Sequence, residues 1–325
     1  MLRNIKNLIE DRSFLGKAIN YNTNLRVSCG YPRAMCLETT NYCNLHCIMC
    51  NHNIMKRSKK HMSFSLFRNI IDQIEKIKYF QVLELQMWGE PLLNPNIFEM
   101  IDYSVGKVKK VKLSTNANLL DKKNAKKLIK NSPDHLRISI DANSSGIYNR
   151  IRCGGDFKKV IRNTVSFLEM KGKGNLPITA VQLIEMNINS HEINDFLNRW
   201  EGIADEVKII RLNSMGDLKG NYDDLKIKEY SLGWNYTCGT PWNRIYVYSN
   251  GDVPFCGFDI EGKLIFGNLH NMTIKEVWNS KEAFEFRNSL IKRKNMPIEC
   301  KKCREWDMNG TYSWKYYLKR IISKL

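Results

Sequence analysis

Three cysteines stand within eight residues of the stretch ETTNYCNLHCIMCNH, at Cys43, Cys47 and Cys50. The spacing is C-x3-C-x2-C, and the next cysteine, Cys153, follows only about a hundred residues later. Thiols this close together can share a metal, but three is an odd number for it. Structural zinc is closed by four ligands. A 4Fe–4S cube held by three thiolates instead keeps one iron open for a small molecule. With 10 cysteines in 325 residues, chance would produce this register about once in a hundred such chains. A zinc knuckle completed by His46 or His52 is the alternative.

A second set comprises Cys238, Cys256, Cys300 and Cys303, ending in C-x2-C. Four thiols permit a closed site, and spacing alone would favour zinc. Of the remaining cysteines, Cys36 alternates with apolar residues and reads as a core thiol. Cys29 carries no signal.

Around these groups the chain alternates strand and helix patterns. Strands are expected at Arg33–Thr40, Val82–Gly89, Val111–Ala117, Leu136–Ala142, Ile178–Met186 and Val207–Leu212. Helical spacing of apolar residues marks Phe64–Ile77, Asn96–Val105 and Asp156–Gly172. Strict alternation predicts an α/β fold with a parallel sheet. Six units are too few for an eight-unit barrel, so a partial (β/α)6 barrel is expected. Ligands should sit at the carboxyl ends of its strands, and the first cysteine group follows strand one. Beyond Leu212 the pattern turns polar, then reads as a small hairpin-plus-helix domain with its helix over Thr273–Ile291. The expected organisation is an N-terminal extension (1–32), a barrel core (33–212), a linker (213–237), a small domain carrying the second cysteine set (238–307) and a basic amphipathic tail (308–325).

Hydrophobic residues make up 43% and charged residues 26%, an ordinary globular composition. No apolar run reaches the ~18 residues of a membrane span. The opening MLRNIKNLIEDRSF places acidic residues where a signal peptide is apolar. A cytoplasmic protein with reduced thiols is therefore expected. The formal net charge is +18, from 51 Lys+Arg against 33 Asp+Glu. Such a field favours nucleic acid, an anionic membrane met by the tail, or a phosphorylated substrate. A lysine-rich genome explains the same surplus.

C-x3-C-x2-C after the first strand of a partial barrel resembles the radical S-adenosylmethionine (SAM) superfamily, over Met35 to about Leu212. The resemblance implies that the open iron chelates SAM, that the cluster donates one electron, and that a 5′-deoxyadenosyl radical abstracts hydrogen from the substrate. Further stretches follow the family in order. WGEPLLNP (Trp88–Pro95) is similar to its G-G-E-P segment, which implies SAM contacts at Gly89, Glu90 and Pro91. LSTNA (Leu113–Ala117) resembles S/T-N-G and implies Ser114 and Asn116. ISIDA (Ile138–Ala142) implies Ser139 or Asp141, with Ser139 favoured. YNRIRCGGDFKKV resembles Y-x-x-I-R-G-G-x-F, in which Arg152 would pair with the SAM carboxylate. Met49 stands where the family often has an aromatic residue against adenine. Cys153 lies beside Arg152 and is the one spare thiol placed to return hydrogen to a substrate radical, as in radical SAM epimerases.

The C-terminal run CGTPWNRIYVYSNGDVPFC…CKKC resembles the SPASM/Twitch type. It implies that Cys238, Cys256, Cys300 and Cys303 hold an auxiliary 4Fe–4S cluster. The four-cysteine set and the G-E-P-L-L stretch are shared with the 2-deoxy-scyllo-inosamine dehydrogenases. The resemblance implies a small-molecule carbohydrate or aminocyclitol substrate, phosphorylated or nucleotide-linked, oxidised at a secondary alcohol or epimerised. A flavodoxin or ferredoxin would supply electrons. Peptide modification is the alternative; the short N-terminal stretch before strand one counts against it. A non-enzymatic metal and nucleic-acid binder would leave the SAM segments unexplained.

Overall fold

A computed structural model describes residues 30–214, 218–227 and 238–303. Cys29, the tail at 308–325 and part of the 213–237 segment lie outside the described residues. Six strands appear where the sequence places them, five of them shorter and the sixth shifted by one residue. They are β1 (Ala34–Leu37), β2 (Val82–Glu84), β3 (Val111–Thr115), β4 (His135–Ser139), β5 (Ile178–Glu185) and β6 (Glu206–Arg211). Between them run α1 (Phe64–Glu75), α2 (Ile97–Ser104), α3 (Lys122–Asn131), α4 (Ser145–Ile151), α5 (Phe157–Lys171) and α6 (Ile193–Trp200). The helix starts are written locally. Ser63, Asp121 and Asp156 each cap the following helix by accepting a backbone N–H three residues on.

The sheet is parallel and has a seventh strand, in the order β6-β5-β4-β3-β2-β1-β7. Strand β7 (Arg244–Val247) pairs with β1, setting Cys36 against Tyr246. It comes from the segment expected to form a separate hairpin domain, so only β8 (Asp252–Pro254) and β9 (Ile265–Asn268) make that hairpin. The expected long helix is two, α7 (Ile274–Trp278) and α8 (Lys281–Lys292), because Ser280 caps a fresh start. A further helix, α9, covers Ile298–Lys302.

Helices cover one face of the sheet. Met35, Leu37, Leu83, Val111, Leu113, Leu136, Ile138, Val181 and Val247 meet Phe67, Ile70, Met100, Leu128, Phe167 and Trp200 there in one buried core. Side chains alternate along a strand. The opposite, inner face therefore carries Cys36, Glu84, Lys112, Arg137, Lys208 and Arg244, in registers that set them side by side. An apolar outer face and a charged inner face are what a substrate-holding partial barrel requires.

Candidate functional site

The thiol loop leaves β1 and is tied down from several sides. Glu90 N–H donates to the Tyr42 carbonyl at 2.8 Å, His46 N–H to that of Cys153 at 2.9 Å, and Ile48 N–H to that of Ile151 at 3.0 Å. Asn116 Nδ2 donates to Asn44 Oδ1 at 2.9 Å. Cys50 starts a short 3-10 turn, its Sγ accepting His52 N–H at 3.4 Å. The loop therefore takes its shape from β2, β3 and α4 together.

Burial pushes the Cys43 thiol up to about 12 and Cys50 up to about 11, and the neighbouring thiols add to both shifts. Burial also raises Cys47, against the pull of Arg152. Sites of this kind need a bound cation to hold thiolates, because the metal's charge inverts the local preference. Among the described residues no three His, Cys, Asp or Glu side chains converge on a single ion. A cubane spreads its thiolates over separate irons and so does not require them to meet at one ion. His52 Nε2 lies 2.8 Å from the Asn41 carbonyl, and its buried Nδ1 has no hydrogen-bond partner among the described residues.

Two buried acids stand beside the loop. Glu90 accepts from Thr115 Oγ1 at 2.7 Å, Asn116 N at 2.8 Å and Leu92 N at 3.2 Å. Burial raises its pKa, partly offset by those donors. Its carboxylate is thus spent on the chain, and Pro91 opens the turn it caps. Asp141 has a left-handed backbone, φ 66°, and is fully buried. It pairs with Arg152 and accepts Ile184 N–H at 2.7 Å. Arg152 also donates Nη1 to Cys47 Sγ at 3.6 Å, while its buried Nε has no acceptor among the described residues. That orphaned donor beside the thiols is what a site awaiting an anionic group would show.

Gly89 is where β2's loop crosses the thiol loop. A Cβ there would lie 2.2 Å from the Thr40 carbonyl oxygen and 2.7 Å from that of Tyr42. Gly89→Ala is expected to force the two segments apart at a cost of about 3 kcal/mol. Both the thermal midpoint and the iron bound on reconstitution should fall. An unchanged midpoint with full iron loading would show that the crossing tolerates a methyl group.

The remaining expected residues fall on both sides of the loop. Ser114 and Ser139 are half-buried on the inner face. Asn116 sits above Ser114, and Ala117 holds φ 59°, the conformation for which glycine is the easier residue. Met49 is buried in an apolar cluster with Leu45, Ile151, Met186 and Tyr222. Cys153 Sγ bonds the Arg150 carbonyl at 3.5 Å, on the rim by the thiol loop. The segment read as a linker supplies residues the sequence reading missed. Lys219 Nζ bonds the carbonyls of Ile48 (2.8 Å) and Cys50 (3.3 Å), and Asn221 Nδ2 that of Ile48 at 3.1 Å. A contact across some 170 residues leaves no local pattern.

The second thiol set gathers around Cys256, whose pKa is raised by burial and then by the charges of Cys238, Cys303 and Cys300. Trp242, Phe255, Phe286 and Leu290 wall it. Tyr246 reaches from the inner face toward it. A methyl group on Gly257, next to Cys256, would lie 2.5 Å from the Tyr246 ring.

Residues 37–197 match the model of the radical SAM superfamily, and residues 238–304 match that of the SPASM iron–sulfur cluster-binding domain. A GTP 3′,8-cyclase of Clostridium botulinum (strain Okra / Type B1) is 29% identical over 223 residues, 67% of this chain and 64% of the cyclase. The chain thus spans just under two thirds of that relative's length. Mycofactocin maturase MftC of Mycolicibacterium smegmatis is 26% identical over 290 residues, 78% of this chain and 72% of the maturase. The crystal structure of BtrN with AdoMet and 2-DOIA superposes on 80% of this chain and 87% of its own, with TM-score 0.55 and 17% identity. Streptococcus suis SuiB bound to precursor peptide SuiA superposes on 85% and 71%, with TM-score 0.64 and 15% identity. At such identities the two structures share the fold.

Proposed function

Because this chain belongs to the radical SAM superfamily and carries a SPASM iron–sulfur domain behind the core, we propose that it is a cytoplasmic enzyme that oxidises a secondary alcohol of a small carbohydrate or aminocyclitol. Its cofactors are SAM, a SAM-binding 4Fe–4S cluster and an auxiliary cluster. Together, when bound, they supply the 5′-deoxyadenosyl radical that takes a hydrogen atom and an acceptor for the electron left behind.

The chain's own residues would do the following. Cys43, Cys47 and Cys50 hold the first cluster and Cys238, Cys256, Cys300 and Cys303 the second. Glu90 holds the Gly89–Pro91 segment against β3, so that its backbone meets the SAM amine. Arg152, braced by Asp141, offers its Nε to the SAM carboxylate. Asn116 and Ser139 flank the cofactor at the strand ends, and Ser114 lies one step deeper.

The observation that carries the oxidation reading is Tyr246. It faces Cys36 on the inner sheet face and packs against the backbone beside Cys256. A substrate held over the sheet would therefore be separated from the auxiliary thiols by one aromatic side chain. The second reading, peptide maturation, is favoured by the likeness to MftC and SuiB.

Epimerisation would need a hydrogen donor. Cys153 Sγ bonds the Arg150 carbonyl just past the end of α4, and the residue is not on a strand of the sheet. Cys153→Ala is accordingly expected to turn over at the wild-type rate in deuterated water and to give a ketone without solvent deuterium at the oxidised carbon. A product of inverted configuration carrying one deuterium, lost in the variant, would mean epimerisation. Release of 5′-deoxyadenosine stimulated by peptides and not by sugar or cyclitol alcohols would establish the maturase reading.

A further inference from the structure

The inner face of the sheet is charged, and its charges do not balance. Arg244 on β7 pairs with Glu84 on β2, and Lys208 with Glu206 within β6. Lys112 on β3 and Arg137 on β4 are left over. Arg137 gives its Nε to Ser114 Oγ at 2.6 Å, and its two Nη groups have no partner among the described residues. The two carboxylates that feel its charge, Glu84 and Asp141, are each already held by another arginine. Lys112 has no carboxylate partner among the described residues either. It is half-buried and its pKa is lowered, first by burial and then by Arg244, Lys110 and Lys208, against the opposite pull of Glu84.

A half-buried guanidinium whose fork is open is costly unless an anion completes it. Exposed lysines and arginines need no such explanation, because water serves them. These two sit on a sheet face beneath the candidate cofactor level. Ser114 precedes Asn116, which lies just past the end of β3, by two residues, which places the Arg137 row about 7 Å below it. That is the span of a small molecule with its reacting carbon at the strand ends and an anionic group deeper in. The charge helps to choose the anion. Two uncompensated cations match a phosphate monoester of about −1.5 to −2 better than a single carboxylate. Arg137 supplies the planar fork that phosphate oxygens fit, with Lys112 as a point charge.

We propose that Arg137, oriented by Ser114 and assisted by Lys112, binds a phosphate group of the substrate on the inner face of the sheet. The proposal rests on the reading of the chain as a small-molecule radical SAM enzyme and narrows its substrate to a phosphorylated one. It also counts against a leader peptide as the species that fills this face.

The test uses the full chain, reconstituted with iron and sulfide under anaerobic conditions. Inorganic phosphate and, separately, acetate are titrated into it by calorimetry at fixed ionic strength, which holds surface screening constant. The wild type is expected to bind phosphate at least tenfold more tightly than acetate. Arg137→Gln should weaken phosphate tenfold or more, and Arg137→Lys should lose part of the affinity by keeping the charge without the fork. Lys126→Gln, on the exposed face of α3, should bind as the wild type does. If Arg137→Gln does not fold, Arg137→Lys and Lys112→Gln carry the same comparison.

Several outcomes overturn the proposal. They are no phosphate binding by the wild type, equal binding by every folded Arg137 and Lys112 variant, acetate bound as tightly as phosphate, or an equal loss in Lys126→Gln. The enzyme reading is scored separately on the same wild-type sample, by 5′-deoxyadenosine released from SAM with dithionite. Cleavage without phosphate binding sinks this inference alone. Phosphate binding without cleavage sinks the enzyme reading alone.

Discussion

Replacing Cys43, Cys47 and Cys50 together by alanine is expected to abolish SAM cleavage and to halve the iron of the reconstituted protein. Two 4Fe–4S clusters correspond to about eight irons per chain, so about four should remain. All three thiols lie in one loop, and the second set lies in a separately walled pocket of aromatic residues. Losing the first cluster should therefore leave the second loaded. The loop itself is held by backbone bonds to Glu90, Cys153 and Ile151, none of which uses a thiol. The variant should fold for that reason. Iron analysis and chromatography of 5′-deoxyadenosine read the result. Retained cleavage in the triple variant would remove the central assignment, whereas zinc in place of the residual iron would revise only the second site.

A large loss of stability is expected from Glu38→Ala. Glu38 leaves β1 with its carboxylate fully buried, and it joins the first third of the chain to the last. Arg57 grips it with both Nη groups, at 2.8 and 3.2 Å. Ser249 donates its N–H at 3.1 Å and its hydroxyl at 3.0 Å to the same carboxylate. Arg57 in turn lies 3.6 Å over the Tyr248 ring and bonds the Ile260 carbonyl at 2.6 Å. Removing the acid strands a largely buried guanidinium and a backbone N–H. Breaking one side of such a pair costs about 3–5 kcal/mol. For a chain of this size that is a fall in thermal midpoint of roughly 6–15 °C. Glu38→Leu combined with Arg57→Met removes both charges and should lose much less. A midpoint within a degree of the wild type for Glu38→Ala would show that the network is dispensable.

Much of this was legible in the chain itself, wherever the cause was local. Apolar residues at Leu66, Phe67, Ile70, Ile71 and Ile74 repeat at helical spacing, and all five are buried in α1. Strand alternation in VKLST returned as the alternating burial of β3. The first cysteine group could be read from spacing, whereas spacing alone favoured zinc for the second; the family matches span residues 37–197 and 238–304, around the two groups.

Tertiary structure decided what depends on partners far along the chain. Nothing in RIYV says that it would pair with β1 as a seventh strand. That choice follows from the open edge of β1, which a six-strand sheet would leave with unpaired N–H and C=O groups. Likewise NSMGDLKGNYDDLK reads as a linker because it is polar, yet Lys219 and Asn221 serve the carbonyls of the thiol loop. The stretch is polar because it caps buried backbone acceptors. Glu90 and Arg152 were marked as cofactor ligands from motif position, but only the fold shows how far their charged groups are committed to Thr115, Asn116, Asp141 and Cys47. The unbalanced inner face, too, exists only once register sets β2, β3, β4, β6 and β7 side by side. Charge composition counts every lysine and arginine alike, whereas pairing among the described residues leaves Arg137 and Lys112 without a carboxylate.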